Sequence, residues 1–303
     1  MSTVKRSWWT RPVSLRKQLP LTALYLMTLA LAGINANVAL HEDLGTDAHA
    51  YWHVWRAPMY TTGPMTRDAY LYSPAFAQAI WPLTLIPWFT VFAILSAVMS
   101  GALLIWMLRP LGWHWAIPLT VFLLPELVNG NIFIPLAATV VLGFRHPGAW
   151  AFSALTKVAP TVMPVWWLVR REWRPLVVFV GTTLLIAAAS AAVGPHLWLQ
   201  WVTHLVVWAT TESQQRLGIA GLLPLAYRAP VGLVLVIVGA RRDWRWSVPV
   251  AALLCTPVIW LGSYAWLAAI PRVLVEHKGQ QKPGDDERPG TADRLSLMGP
   301  IQS

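Results

Sequence analysis

Residues 41–72 read HEDLGTDAHAYWHVWRAPMYTTGPMTRDAYLY. This polar stretch lies between an apolar run at Leu19–Leu40 and a longer one that begins at Pro74. Glu42, Asp43 and Asp47, three of the thirteen acidic residues of the chain, fall within it close together, and His49, Tyr51, Trp52, His53 and Trp55 follow at once. A run of about 20 apolar residues spans a bilayer as a helix, so the stretch reads as a loop between membrane helices. That reading decides the fold class: an all-α integral membrane bundle.

Composition agrees. Of the 303 residues 56% are hydrophobic and only 12% charged, about half the charged fraction of a soluble domain. The twenty tryptophans fit a chain with long membrane boundaries, where Trp gathers. The net charge of +10 would point to nucleic acid in a soluble protein. Here the basic residues form short clusters between apolar runs, as cytoplasmic loops do, and nucleic acid is not the expected partner; the lipid bilayer is. The single cysteine, Cys255, sits in an apolar run and allows neither an internal disulfide nor a cysteine metal site.

Residues 1–18 carry Lys5, Arg6, Arg11, Arg16 and Lys17 and no acid. The positive-inside rule makes them a cytoplasmic segment and sends 41–72 to the outer face. With a basic start but no clear small-x-small cleavage site, the first apolar run is expected to stay as a helix. Pro74–Pro87 is short and proline-rich, a half-helix, and Trp88–Leu108 is a full span. Two runs of marginal length, Trp115–Val128 and Ile132–Phe144, are joined by Asn129-Gly130-Asn131, a turn signal. As one helix, Ala149–Val169 would carry Arg170, Arg171 and Arg174 to the outside, so a break at Lys157–Pro160 is expected to return it. Leu176–Val193 is a span. The run 197–210 has Trp198, Trp201, Leu205 and Trp208 on one helical face, as in an interfacial helix. Thr211–Arg216 is a second outer loop, Leu217–Ala240 a return, and Val248–Pro271 a last rise and fall that breaks near Thr256-Pro257. The expected organisation is a transmembrane domain over 19–275, with about eight to ten spans, and a disordered cytoplasmic tail over 276–303. Every basic cluster then falls on one side.

Few ionisable groups remain at outer positions. Glu42 and Asp43 read as a solvated helix end, and Asp68 as a surface ion pair beside Arg67. Asp47, after Gly45-Thr46, reads equally as a helix N-cap or as a catalytic carboxylate. Glu126, in an apolar run, needs a partner such as Lys157 or a place near water. Lys157, at a helix break, suits an anionic headgroup, or else snorkels to the interface. His49 and His53 share a helical face but lack a clear third ligand, so no metal is expected. Tyr70-Leu71-Tyr72 before Ser73-Pro74 reads as an aromatic belt or as the wall of a sugar or lipid-phosphate cleft.

In order along residues 20–272, the segments GTDAHAYW, YLYSPAFAQAIWPL, VNGNIFIPL, FSALTKVAPTVMPVWWLVRREWRPL, ESQQRLGIAGLL and TPVIWLGSYAW resemble the motif series of the GT-C superfamily of integral-membrane glycosyltransferases, specifically glycosyltransferase family 87. Asn131 stands where that family usually has Gln, and Gly262-Ser263-Tyr264 where a His often follows the closing Trp.

The resemblance implies a GT-C-like bundle with short or re-entrant outer hairpins. It implies a polyprenyl-phosphate sugar donor, mannose first, a glycolipid or polysaccharide acceptor, and transfer at the outer face of the plasma membrane with both termini cytoplasmic. Asp47 matches the catalytic position and would act as general base in an inverting transfer. Lys157 and then Arg216 would bind the donor phosphate. Tyr51, Trp52, Tyr70, Tyr72, Asn129, Asn131, Glu212, Trp260 and Tyr264 would line the substrate cleft. No cofactor is expected. The rival readings are a lipid or sugar transporter or flippase, whose site would lie at midplane, and a non-catalytic relative acting as a subunit.

Overall fold

A computed structural model of the chain describes residues 19–30, 33, 45–63, 66–158, 160–209 and 223–280. All regular structure among them is helical. The helices are α1 (Leu19–Ala30), α2 (Thr46–His53), α3 (Pro74–Thr84), α4 (Phe89–Leu108), α5 (Trp113–Phe122), α6 (Leu124–Asn129), α7 (Phe133–Gly143), α8 (Trp150–Thr156), α9 (Met163–Arg170), α10 (Trp173–Val193), α11 (Pro195–Ala209), α12 (Leu225–Arg242), α13 (Ser247–Cys255) and α14 (Ile270–Gln280), with a 3-10 segment at Leu261–Ala269.

Among the described residues two helices are long and apolar enough to cross a membrane, Phe89–Leu111 and Trp173–Val193. On α10 the side chains of Val177, Leu184, Leu185 and Val193 are exposed. Much of the remaining apolar chain among the described residues lies in shorter helices, Leu19–Ala30 and Phe133–Gly143 among them. The physical reason is local. Pro74 sits at the first position of α3 behind the Ser73 cap, and Pro82 lies in its last turn. Pro118 lies inside the ten-residue α5, and Gly130 ends α6 in the left-handed region. Proline removes a backbone donor and crowds the preceding turn, and glycine accepts the conformation that stops a helix.

Two expected breaks are present. Lys157 is extended between α8 and α9, which turns this segment back toward Arg170. Thr256 is extended after α13. A break in an apolar bundle frees carbonyls that must find donors. At the second break Arg228, on α12 and 6% exposed, supplies them. Its guanidinium donates to the carbonyls of Leu254 at 3.0 Å, Thr256 at 2.9 Å and Pro257 at 2.9 Å, and to Leu223 at 2.8 Å.

The bundle has two chemically distinct ends. α7 and α9 both begin near the Asn129–Asn131 turn and the Lys157 break, and both run to a basic end. There Asp243 pairs with Arg170 at 3.3 Å, Arg245 at 3.8 Å and His277 at 3.3 Å. Glu276 pairs with Arg145 at 3.3 Å and Arg272 at 2.9 Å. Three of the basic clusters therefore meet at one end. The boundary of the C-terminal segment differs from expectation: α14 continues through Gln280, because Glu276 is tied into this network one turn from Arg272. Residues 281–303, the rest of the expected tail, and the N-terminal segment 1–18 lie outside the described residues.

Replacing Arg228 by Met leaves the carbonyls at the Thr256–Pro257 break without their donor. The expected loss is on the order of 3 kcal/mol, the scale of buried groups left unsatisfied. Unfolding of the purified protein in detergent measures it. A midpoint equal to that of the parent chain would show that the break does not depend on the guanidinium.

Candidate active site

α2 starts at Gly45, which takes the N-cap position with no side-chain cap. Asp47 is therefore inside the first turn and is not the cap that its spacing also allowed. Its carboxylate reaches across to another part of the chain. Asn129, the last residue of α6, donates from Nδ2 to Asp47 Oδ2 at 2.6 Å. The Asn131 side chain is a second hydrogen-bond partner of that carboxylate, and its Oδ1 accepts from the Ile132 N–H at 2.7 Å. Gly130 between them has φ +70°, and a Cβ there would stand 2.6 Å from that of Ala48. The turn can approach α2 this closely only because residue 130 has no side chain.

Lys157 approaches from the break between α8 and α9. Its Nζ lies 3.4 Å from the centroid of the Phe133 ring and 5.7 Å from that of Tyr72. Cation–π contact of this kind holds an ammonium in place at the cost of few hydrogen bonds. Its charge acts on both Asp47 and Glu126. Asp47, Asn129, Asn131 and Lys157 all keep partial exposure, whereas Glu126 behind them is 4% exposed.

Glu126 is the residue whose weight was underestimated from sequence, where it was only a possible partner for Lys157. It accepts the N–H of Phe133, the first residue of α7, at 3.0 Å. Its other oxygen sits against Gly262, where a Cβ would fall 1.8 Å away. The absence of a side chain at 262 thus gives Glu126 its place. A carboxylate in an apolar run was the available signal, since such a group has to be sheltered and paired.

Tyr51 lies one turn after Asp47 on the same face of α2. Its hydroxyl donates to that of Tyr72 at 2.8 Å. Tyr72 also packs edge-on against Tyr51 and Phe76. Burial, reinforced by Asp47, pushes both phenols well above their ordinary range, so both remain neutral donors. Ser73 Oγ donates to the Leu155 carbonyl, which ties this aromatic segment to α8 beside Lys157.

The other expected cleft residues are distributed differently. Trp52 turns to the opposite face of α2, where its indole donates to the Ile86 carbonyl at 2.8 Å and stacks under Arg56 at 3.7 Å. Tyr70 is one ring further out, against Tyr60 and Tyr72. Trp260 and Tyr264 flank Gly262. The Trp260 N–H donates to Ser263 Oγ at 3.1 Å, and Tyr264 packs on Phe122. Glu212 and Arg216 lie outside the described residues. Asp68, expected beside Arg67 as an ion pair, binds His49 Nδ1 at 2.5 Å, and His49 stacks on His53 at 5.6 Å.

Burial raises the Asp47 pKa above its ordinary 3.8, opposed first by the charge of Lys157 and then by the hydrogen bonds from Asn131 and Asn129. The net effect is a stronger base than a free carboxylate. Asn129→Ala removes a bond that favours the ionised form, so the pKa must rise further. The carbonyl infrared band of the protonated acid, assigned by its absence in Asp47→Asn, is expected to titrate above 3.8 and at still higher pH in Asn129→Ala. A shift to lower pH in that variant would show that the amide does not support the charge.

No curated protein and no solved structure is significantly similar to the chain. The sequence profile of glycosyltransferase family 87 matches residues 70–276, well over half of its length and inclusive of Glu126, Asn129, Asn131 and Lys157. The chain belongs to glycosyltransferase family 87 and is a glycosyltransferase.

Proposed function

We propose that the chain is a membrane-embedded, inverting glycosyltransferase that takes a sugar, mannose first, from a polyprenyl-phosphate donor and moves it to a glycolipid or polysaccharide acceptor, with Asp47 as general base. The observation that carries this reading is the joining of Asp47, Asn129, Asn131 and Lys157 at the end of the bundle opposite the Arg-rich cluster. An attacking acceptor hydroxyl must lose its proton as the new glycosidic bond forms. A partly exposed carboxylate, raised in basicity and oriented by two amides, supplies that. As the sugar departs, its bond to the lipid phosphate breaks and the phosphate gains charge. A fixed ammonium is the group that favours this state over the ground state. Lys157 occupies that role, and Arg216 is proposed as its companion.

Topology follows from the same assignment. The basic end faces the cytoplasm by the positive-inside rule, which puts the Asp47 end at the outer leaflet, where a lipid-linked donor would enter from the bilayer. α10 and α4 then present their apolar surfaces to lipid, and the shorter helices pair into hairpins that reach the outer boundary.

The test uses purified protein in proteoliposomes with a panel of polyprenyl-phosphate sugars and product analysis of the linkage. Asp47→Asn is expected to reduce kcat by about 10²- to 10⁴-fold, the usual worth of a general base, with donor affinity retained. Lys157→Met is expected to weaken donor binding and to slow transfer by about 10²-fold or more. Equal rates for Asp47→Asn and the parent chain would remove Asp47 as the base. Movement of labelled lipid across the bilayer, with no new glycosidic product from any donor, would favour the transporter reading.

A further inference from the structure

A groove separate from the Asp47–Lys157 pair opens along the second half of α2 and the loop that follows. Its larger recess, about 360 Å³, lies between residues 54–61 and the start of α11. A second recess of about 180 Å³ continues from it along α2 to Ala50, sharing Val54, Ala57, Pro58, Met59 and Thr61. Ala50 is three residues past Asp47. On a helix that is less than one turn, or roughly 4.5 Å along the axis. The groove therefore reaches along α2 to within one turn of the proposed base.

Its chemistry is neutral and mixed in the larger recess. Trp55 keeps 38% of its surface exposed, yet its ring is fixed, because the indole N–H donates to the Ala77 carbonyl at 2.9 Å. Facing it are His196 and Gln200, four residues apart on one face of α11 and both exposed. Thr61 contributes a hydroxyl oxygen; its proton goes to the Pro58 carbonyl at 3.1 Å, which leaves the oxygen to accept. The walls are held together: the Trp201 indole on α11 donates to the Leu71 carbonyl at 3.1 Å, and Trp198 donates to Ser190.

We propose that this groove binds a saccharide, the sugar portion of the acceptor, with Trp55 as the stacking platform and Gln200 and His196 as hydroxyl partners. The inference rests on the glycosyl-transfer reading given above. A phosphate is drawn to Lys157, which does not line the groove; Arg67 lies only in the smaller recess, where Asp68 stands beside it, and no described lysine or arginine lines the larger one. A hydrocarbon tail would leave an amide, an imidazole and a hydroxyl oxygen facing apolar atoms, and polar groups so buried without partners are costly. A polyhydroxylated ring satisfies both surfaces at once: its C–H face lies on the indole and its hydroxyls meet the side chains.

Saturation-transfer NMR with soluble mannotriose and maltotriose, on the full chain in detergent, reads saccharide binding without turnover. At least one of the two is expected to give signals with the parent chain and equally with Asp47→Asn. Gln200→Ala, an exposed position, and Trp55→Phe, which keeps an apolar ring, are each expected to weaken that binding by about tenfold, the effect of losing roughly 1.4 kcal/mol of contact. Absence of signal from both saccharides, or undiminished binding in both groove variants with unchanged thermal midpoints, overturns the proposal. The two readings fail separately. If Asp47→Asn abolishes transfer while the groove variants bind saccharide as the parent does, the groove assignment falls and the transferase mechanism stands. If the groove variants lose saccharide binding but no donor supports transfer, the groove stands as a sugar-binding site and the proposed donor and base fall.

Discussion

The site depends on one hydrogen bond between residues 82 positions apart, from Asn129 Nδ2 to the Asp47 carboxylate. It joins the first polar segment to the turn between two short apolar helices, and it can form only because Gly130 lets α2 come so near. An amide donor favours the ionised acid while the surrounding protein, by displacing water, favours the neutral one. The outcome is a raised but still titratable carboxyl. The first turn of α2 adds a favourable helix dipole for the negative charge. A base needs this intermediate condition: a carboxylate fully stabilised by partners would bind a proton too weakly to help an attacking hydroxyl.

The rest of the architecture keeps this end polar and the body of the molecule dry. Arg228 satisfies the carbonyls released at Thr256–Pro257, and Ser73 does the same for Leu155 at the other break. Each break is closed by a side chain from another element: Arg228 of α12 at Thr256–Pro257, and the Ser73 cap of α3 at the end of α8. Ion pairs at the opposite end are partly exposed and each adds little stability by itself. Their contribution is to gather α9, α12, α14 and the end of α7 at one face, which leaves the Asn129–Asn131 turn and Lys157 together at the other.

How far the sequence revealed this depended on the range of the forces involved. Breaks at Asn129–Asn131, Lys157–Pro160 and Thr256–Pro257 were legible, since glycine, asparagine and proline act on their own backbone. The candidate carboxylate was legible as a polar residue in a loop, but cap and catalyst could not be separated there. The position of Gly45 before α2 removes the cap reading, and the bond from Asn129 on α6 supports the proposed catalytic one. The resemblance implies Trp52 beside Tyr51 in the cleft, yet adjacent residues on a helix face apart, and Trp52 packs against Phe89 and donates to the Ile86 carbonyl. Glu276 looked like the start of a tail because its partners, Arg145 and Arg272, include one that lies far away along the chain. The lengths of the described helices were the least legible feature. Runs of marginal length read as spans wherever they are apolar, whereas prolines and polar turns cut the helices themselves shorter.

Charge balance carries the reading one step further. Among the described residues the cluster holds Asp47 and Glu126 against the ammonium of Lys157. With both acids ionised it already leans negative, and a lipid phosphate brings more negative charge. Attraction to one ammonium cannot offset repulsion by two nearby carboxylates unless another positive charge arrives or one acid takes up a proton. Glu126, sheltered behind Phe133 and Gly262, is the acid least accessible to solvent. Either remedy suits the proposed reaction: a proton on one of the acids, or a second cation, the role proposed for Arg216. Lys157 can offset only one of the two acids, so in the proposed reaction donor binding is the event at which a further positive charge or a proton is required.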